Sequence, residues 1–164
     1  MKLTYLIDYD TTIKEFIYKK ISRNFYGYLK EHNVSYLVNG IAKKSYEEIK
    51  INDELEITYD ECKKQEGILS NKPLDILYED EYYLVVYKPA HLQSIPSRNN
   101  PYDSVFNRLL YYFKDKSSTI HLLNRLDKET KGLILVAKNN YSAALLKNFS
   151  KKYIAITHNK LLHH

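Results

Sequence analysis

The chain has no tryptophan, one cysteine, one methionine, four glycines and four prolines in 164 residues. A single cysteine, Cys62, excludes an internal disulfide and any metal site built from several cysteines. So little glycine and proline, beside 44% hydrophobic and 27% charged residues, excludes a low-complexity or disordered chain and makes folding the expectation. No apolar run approaches the ~20 residues that cross a bilayer. The N-terminal apolar stretch breaks at Asp8 and Asp10, too early for a secretory signal, so the cytoplasm is the expected compartment and no membrane partner is expected. A Gly-rich phosphate loop, a clustered Cys/His ligand set and a Gly-x-Ser-x-Gly elbow are all missing. Without that elbow, a Ser-His-Asp hydrolase has little to recommend it.

What is abundant is lysine, asparagine, isoleucine and tyrosine, with 17 tyrosines and a formal net charge of +5. The position of the charge says more than its sum. Residues 14–44 hold seven Lys or Arg against two acids, residues 45–66 three against eight, and residues 101–164 eleven against four. Two basic regions separated by an acidic one suit a polyanion such as RNA; a solvated lysine-rich surface explains the charge alone equally well.

Thr12 with Glu15 forms a capping-box pattern, and Ile13, Phe16, Ile17 and Ile21 recur at helical spacing, which predicts a helix over 12–22. Phe25, Tyr28 and Leu29 predict a second short helix ending near His32-Asn33, with Arg23 and Lys30 facing solvent. Tyr36-Leu-Val38 reads as a strand entering an Asn39-Gly40 turn, and Leu55, Ile57 and Tyr59 alternate like another strand. Residues 61–73 are polar and aperiodic, and the domain linker is placed at 67–73. Beyond it, Tyr82–Tyr87 is a buried-strand candidate stopped by Lys88-Pro89. Asp103 or Ser104 caps a helix with Val105, Phe106, Leu109, Leu110 and Phe113 on its apolar face. His121-Leu-Leu and Leu133–Ala137 are two further apolar strands. A helix near 141–149 and a strand beginning at Tyr153-Ile-Ala-Ile156 complete the pattern. Helices and strands mix without strict alternation, which favours α+β over a doubly wound fold.

Between the last two apolar strands lies the polar stretch 124–132. Arg125 and Asp127 sit two apart, so an extended backbone points both side chains to one face, where a guanidinium keeps a carboxylate ionised. Judged on residue type alone, Asp127 reads as a turn-forming or capping residue, Arg125 as a surface phosphate or carboxylate contact, and Tyr153 as core packing. Thr130 and Gly132 read as loop-shaping, and Lys88 as structural.

The string Asn124-Arg-Leu-Asp-Lys-Glu-Thr-Lys-Gly-Leu-Ile-Leu-Val-Ala-Lys138 resembles the H-R-L-D-x-x-T-S-G signature of RluA-type pseudouridine synthases. Upstream, Asp75-Ile-Leu-Tyr-Glu-Asp and Leu84-Val-Val-Tyr-Lys-Pro-Ala90 resemble that family's opening strands, and Phe149-Ser-Lys-Lys-Tyr-Ile-Ala155 its K-x-Y-x-A segment. At the N-terminus, Thr12-Ile-Lys-Glu-Phe-Ile, Tyr36-Leu-Val-Asn-Gly and Ile51-Asn-Asp-Glu-Leu-Glu-Ile resemble an S4 RNA-binding domain. The resemblance implies an S4-like αα-β domain over 1–66, then, over 74–164, part of a mixed or antiparallel-sheet synthase domain. It implies isomerisation of uridine to pseudouridine in RNA, ribosomal RNA above all, without a cofactor; the sequence leaves the oligomeric state open, with a monomer favoured. By the same resemblance Asp127 is the catalytic carboxylate, Arg125 displaces or holds the flipped nucleotide, Tyr153 stacks on the uracil, and Arg23 and Lys30 contact RNA.

Two positions depart from the signature: Asn124 stands for its His and Lys131 for its Ser. Nothing in Ile156–His164 resembles the family's later G-R-T-H-Q-[LI]-R-like segment, whose basic residue pairs with the aspartate. An incomplete catalytic half follows from that comparison, and with it exposed sheet edges and apolar faces. The competing expectation is an RNA-binding module whose second half does not react.

Overall fold

The structure, a computed structural model, describes residues 1–61, 65–116, 118–146 and 149–156. Cys62 lies outside them. The fold is mixed α+β with antiparallel sheets.

In the N-terminal half, Thr12 caps α1 (Ile13–Lys20) by accepting from the Glu15 amide, and Ser22 caps α2 (Arg23–Lys30) by accepting from the Phe25 amide. Both helices pack on a sheet of order β1-β6-β3-β4, built from β1 (Lys2–Leu6), β3 (Ser35–Val38), β4 (Ile41–Lys43) and β6 (Glu54–Thr58). A two-residue pair, β2 (Thr11–Thr12) with β5 (Glu48–Ile49), stands apart. Asn39 and Gly40 both take positive φ, 50° and 79°, as the tight β3–β4 hairpin requires. Alternation is clean here: Leu55 and Ile57 of β6 are buried against Phe16, Ile17, Phe25 and Leu29, while Glu54 and Thr58 face out.

The C-terminal half is a sheet of order β7-β8-β10-β9: β7 (Asp75–Glu79), β8 (Tyr83–Lys88), β9 (His121–Leu122) and β10 (Gly132–Ala137). Leu84 and Val86 of β8 and Ile134 and Val136 of β10 are buried with Val105, Leu109 and Phe113, on and just beyond α3 (Val105–Tyr112). Residues 65–73 are tied to this half at buried Ser70, while most of their neighbours stay exposed. The Ser70 hydroxyl donates to Asp103, the Ser70 amide to the Asn107 carbonyl, and Arg108 bridges the Asp103 carboxylate and the Pro73 carbonyl.

The two halves meet at α4 (Asn140–Leu145), capped by Asn139. Tyr141 packs on Phe25 of α2, Tyr5 donates to the Tyr141 hydroxyl at 2.9 Å, and Tyr83 of β8 donates to the Ser142 carbonyl.

Two expectations are corrected. The helix near 141–149 stops at Leu145, because Leu146 leaves helical geometry at φ −100°, ψ 65°; residues 147 and 148 lie outside the described set. The strand at 153–156 does not form. Apolar residues confer the capacity for a strand, but a hydrogen-bonding neighbour makes one, and the segment has none among the described residues. Ile154 and Ile156 are fully exposed.

Candidate active site

The loop from β9 to β10 is held at alternate residues. The Asn124 carboxamide donates to the Leu133 carbonyl at 2.9 Å and accepts from the Leu135 amide at 2.8 Å, pairing with the β10 backbone as a neighbouring peptide would. Leu126 is gripped by Ser94, whose hydroxyl donates to the Leu126 carbonyl at 2.7 Å and accepts from its amide at 3.0 Å. The Lys128 carbonyl accepts from the His91 amide and the Lys88 ammonium, at 2.8 and 3.0 Å. The residues between these anchors, Arg125 and Asp127, are exposed. Such alternation is the period of an extended backbone, so the two side chains share a side.

Downstream, the Thr130 amide donates to the Asp127 carbonyl, turning the chain back toward β10. Gly132 takes φ 148°, beyond the reach of other residues without strain, and a Cβ there would meet Leu126 at 3.4 Å.

Lys88 is completely buried and donates to three carbonyls, those of Pro89, Leu92 and Lys128, at 3.0, 2.7 and 3.0 Å. It ends the inward series Leu84, Val86, Lys88, so its stem continues the core and its ammonium emerges beneath the loop. Burial pushes its pKa down, and the carboxylates of Glu129 and Asp127 above it oppose that shift. The loop's outer edge carries an exposed His91–Glu129 contact of 2.5 Å.

Arg125 and Asp127 line one open groove of about 530 Å³ with Gln93, Ile95, Pro96 and Ser97 opposite. Tyr153 is not in it. It lines a second groove of about 580 Å³ with Tyr87, Leu133, Leu135 and Lys131, and Leu126 contributes to both. The structure thus brings two of the three sequence-predicted chemical residues together and leaves Tyr153, half exposed, on the far side of Leu126. Among the described residues, neither the Arg125 guanidinium nor the Asp127 carboxylate makes a hydrogen bond or ion pair.

Arg23 and Lys30 are exposed on α2, as expected from the helical spacing. Around them lies an alternation of cations and rings. Arg23 and Lys14 both sit over Tyr18, at 5.4 and 5.5 Å, Tyr18 packs edge-on to Tyr26, and Lys30 lies 5.9 Å from the Tyr26 ring. Lys19 covers Tyr9 at 4.2 Å, and a groove of about 420 Å³ runs between Tyr9, Tyr18, Lys19 and Arg23.

Sequence reasoning gave Lys88 as structural without finding its partners, and missed Ser94 and the anchoring role of Asn124. A lysine in phase with inward-facing Leu84 and Val86 was the available signal for Lys88. Ser94 had none, because its partner is 32 residues away in a loop.

The RNA pseudouridylate synthase profile matches residues 82–163. The chain is 35% identical over 122 residues to the uncharacterized RNA pseudouridine synthase YjbO of Bacillus subtilis, covering 69% of this chain and 43% of that protein. It is 31% identical over 156 residues to ribosomal large subunit pseudouridine synthase D of Borreliella burgdorferi, covering 86% and 47%. With the corresponding protein of Buchnera aphidicola the identity is 37% over 97 residues, covering 54% and 31%. The chain belongs to the RNA pseudouridine synthase family. It spans less than half the length of these relatives. No helix among the described residues is long and apolar enough to cross a membrane.

Proposed function

We propose that this protein isomerises uridine to pseudouridine in RNA, with ribosomal RNA the substrate class, and that Asp127 carries the chemistry. The observation that carries this reading is the pairing of Arg125 and Asp127 on one groove by a loop anchored at 124, 126 and 128. Preorganised charge of this kind is what bond cleavage at a sugar carbon requires.

The reaction breaks N1–C1′, turns the uracil, and joins C5 to C1′; the proton lost from C5 is balanced by one gained at N1, so no oxidant or reductant is consumed. Asp127 either attacks C1′, forming an ester that the returning C5 displaces, or removes the 2′ proton to give a glycal while the uracil leaves, and returns that proton to C2′ as C5 bonds to C1′. Arg125, beside it, fills the place of the nucleotide that must leave the stack to reach the groove. Tyr153, in the groove on the other side of Leu126, stacks on the uracil. The N-terminal half, residues 1–66, acts as an S4-like module joined through 67–73 to the catalytic part at 74–164. Its exposed Arg23 and Lys30, among tyrosines, contact phosphates and bases.

A second reading, an RNA-binding module with an unreactive second half, is favoured by one observation: the Asp127 side chain has no ion-pair partner among the described residues. Unmodified large-subunit ribosomal RNA transcribed in vitro, incubated with the protein and mapped by carbodiimide stops, separates the two. Product from the wild type and none from Asp127→Ala, with RNA binding retained in both, is the expected result. Equal product from the alanine variant removes Asp127 from the chemistry, and binding without product supports the module.

A further inference from the structure

We infer that Ser94 is a positioning residue for the Arg125–Asp127 pair, acting through the Leu126 peptide that lies between them. This rests on the isomerase reading of the same groove.

Ser94 is 5% exposed, and its one hydroxyl satisfies both backbone groups of Leu126, donating to the carbonyl at 2.7 Å and accepting from the amide at 3.0 Å. Among the described residues Leu126 has no other backbone partner. A hydroxyl is the smallest group that can donate and accept at once, so here it does the work of a neighbouring strand. Ser94 is itself fixed. Its carbonyl accepts from the Phe106 amide and that of Gln93 from the Val105 amide, which ties the 93–94 peptide to the first turn of α3.

A continuous path therefore runs from the start of α3, through the Ser94 hydroxyl, to the backbone that aims Arg125 and Asp127 into the groove. The neighbouring anchors do not replace it. Asn124 holds the loop to β10, Thr130 holds the Asp127 carbonyl, and Lys88 and His91 hold Lys128, which leaves the two peptides that flank Leu126 with Ser94 as their partner among the described residues. Displacement of about 1 Å at a reacting group costs on the order of 10²-fold in rate.

Two variants of the full chain test this. In Ser94→Ala the Leu126 amide, followed by hydrogen exchange in NMR, is expected to exchange at least about tenfold faster, while the Val86 and Val136 amides in the sheet stay as in wild type. Ser94→Thr keeps the hydroxyl and is expected to restore the slow exchange. With the ribosomal RNA transcript as probe, Ser94→Ala is expected to lose about 10²-fold in kcat with KM unchanged, and Ser94→Thr to recover most of it.

Wild-type exchange at Leu126 in Ser94→Ala overturns the inference. So does equal loss of exchange protection at Leu126, Val86 and Val136, which marks Ser94 as a general packing residue. A wild-type chain that makes no product counts against the isomerase reading instead, and the exchange data then decide the role of Ser94 by themselves.

Discussion

The two halves of this protein use their sheets differently. In the N-terminal sheet the second face is largely polar: Lys2 and Thr4 of β1 stand opposite Thr58 and Glu56 of β6, and Lys2 pairs with Glu56. In the C-terminal sheet the second face is apolar, with Val85 and Tyr87 of β8 next to Leu133 and Leu135 of β10, and Leu133 is 55% exposed. The sequence periods carry the same distinction. Strict alternation in 54–58 belongs to a sheet with one wet face, and the unbroken run Leu133–Ala137 to strands built for cover on both sides. Half of the protein is thus finished as a one-sided sheet, and half keeps a face made for burial beside the candidate active site.

The largest effect that tests this contrast comes from neighbouring residues of one strand. Ile134→Ala, on the face that α3 covers, is expected to destabilise the protein by about 2–5 kcal/mol, and Leu133→Ala, one residue away on the open face, by less than about 0.5 kcal/mol. Urea denaturation of the two variants measures both. Equal losses would mean that the outer face is covered in solution.

Lys88→Met is next. The methionine fills the stem's place, but the carbonyls of Pro89, Leu92 and Lys128 lose their shared donor. The expected loss is about 2–3 kcal/mol, confined to this half, since removing a charged donor leaves buried acceptors unpaired. A smaller loss than that of Leu133→Ala would show that water replaces the ammonium.

Asp103 gives a pH-dependent counterpart. Arg108, through paired bonds of 2.9 and 3.0 Å, holds its carboxyl well below the usual carboxylate range, with Lys72 and Ser70 adding to the effect. A depressed folded-state pKa stabilises wherever the unfolded carboxyl would be ionised, above about pH 4, and that stability is lost as pH falls further. Asp103→Asn is therefore expected to cost about 1–2 kcal/mol at pH 7 and to approach wild-type stability near pH 2. A constant difference from pH 7 to pH 2 would show that shape rather than charge is what residue 103 supplies.

Local signals made much of this legible. Thr12 and Ser104 cap helices as their types and positions indicate, and Asn39-Gly40 makes the hairpin. Arg125 and Asp127 share a groove because spacing by two on an extended segment requires it. What stayed illegible depends on distant partners. The β1 strand, Lys2–Leu6, reads weakly alone and is made by pairing with β6 some fifty residues on. Tyr153–Ile156 reads well alone and has no partner among the described residues, so it is not a strand there. The grip of Ser94 on Leu126 and of Tyr141 on Tyr5 and Phe25 spans 32 residues or more in sequence, beyond any periodicity.

The smallest effect on stability sharpens the comparison of the two faces most directly. Leu133 in the C-terminal sheet and Leu6 in the N-terminal sheet are both exposed, at 55% and 70%. Leu6 stands alone against Glu54, whereas Leu133 continues into Val85, Tyr87 and Leu135. Isolated apolar residues on a surface are ordinary; contiguous ones drive association. Leu133→Lys and Leu6→Lys are each expected to change stability by no more than about 0.5 kcal/mol. Only Leu133→Lys is expected to lower concentration-dependent light scattering, because it alone breaks up a patch and places a charge that a second apolar surface cannot accept. Equal behaviour of the two lysine variants would show that the open face of the C-terminal sheet is no stickier than the polar face it is set against.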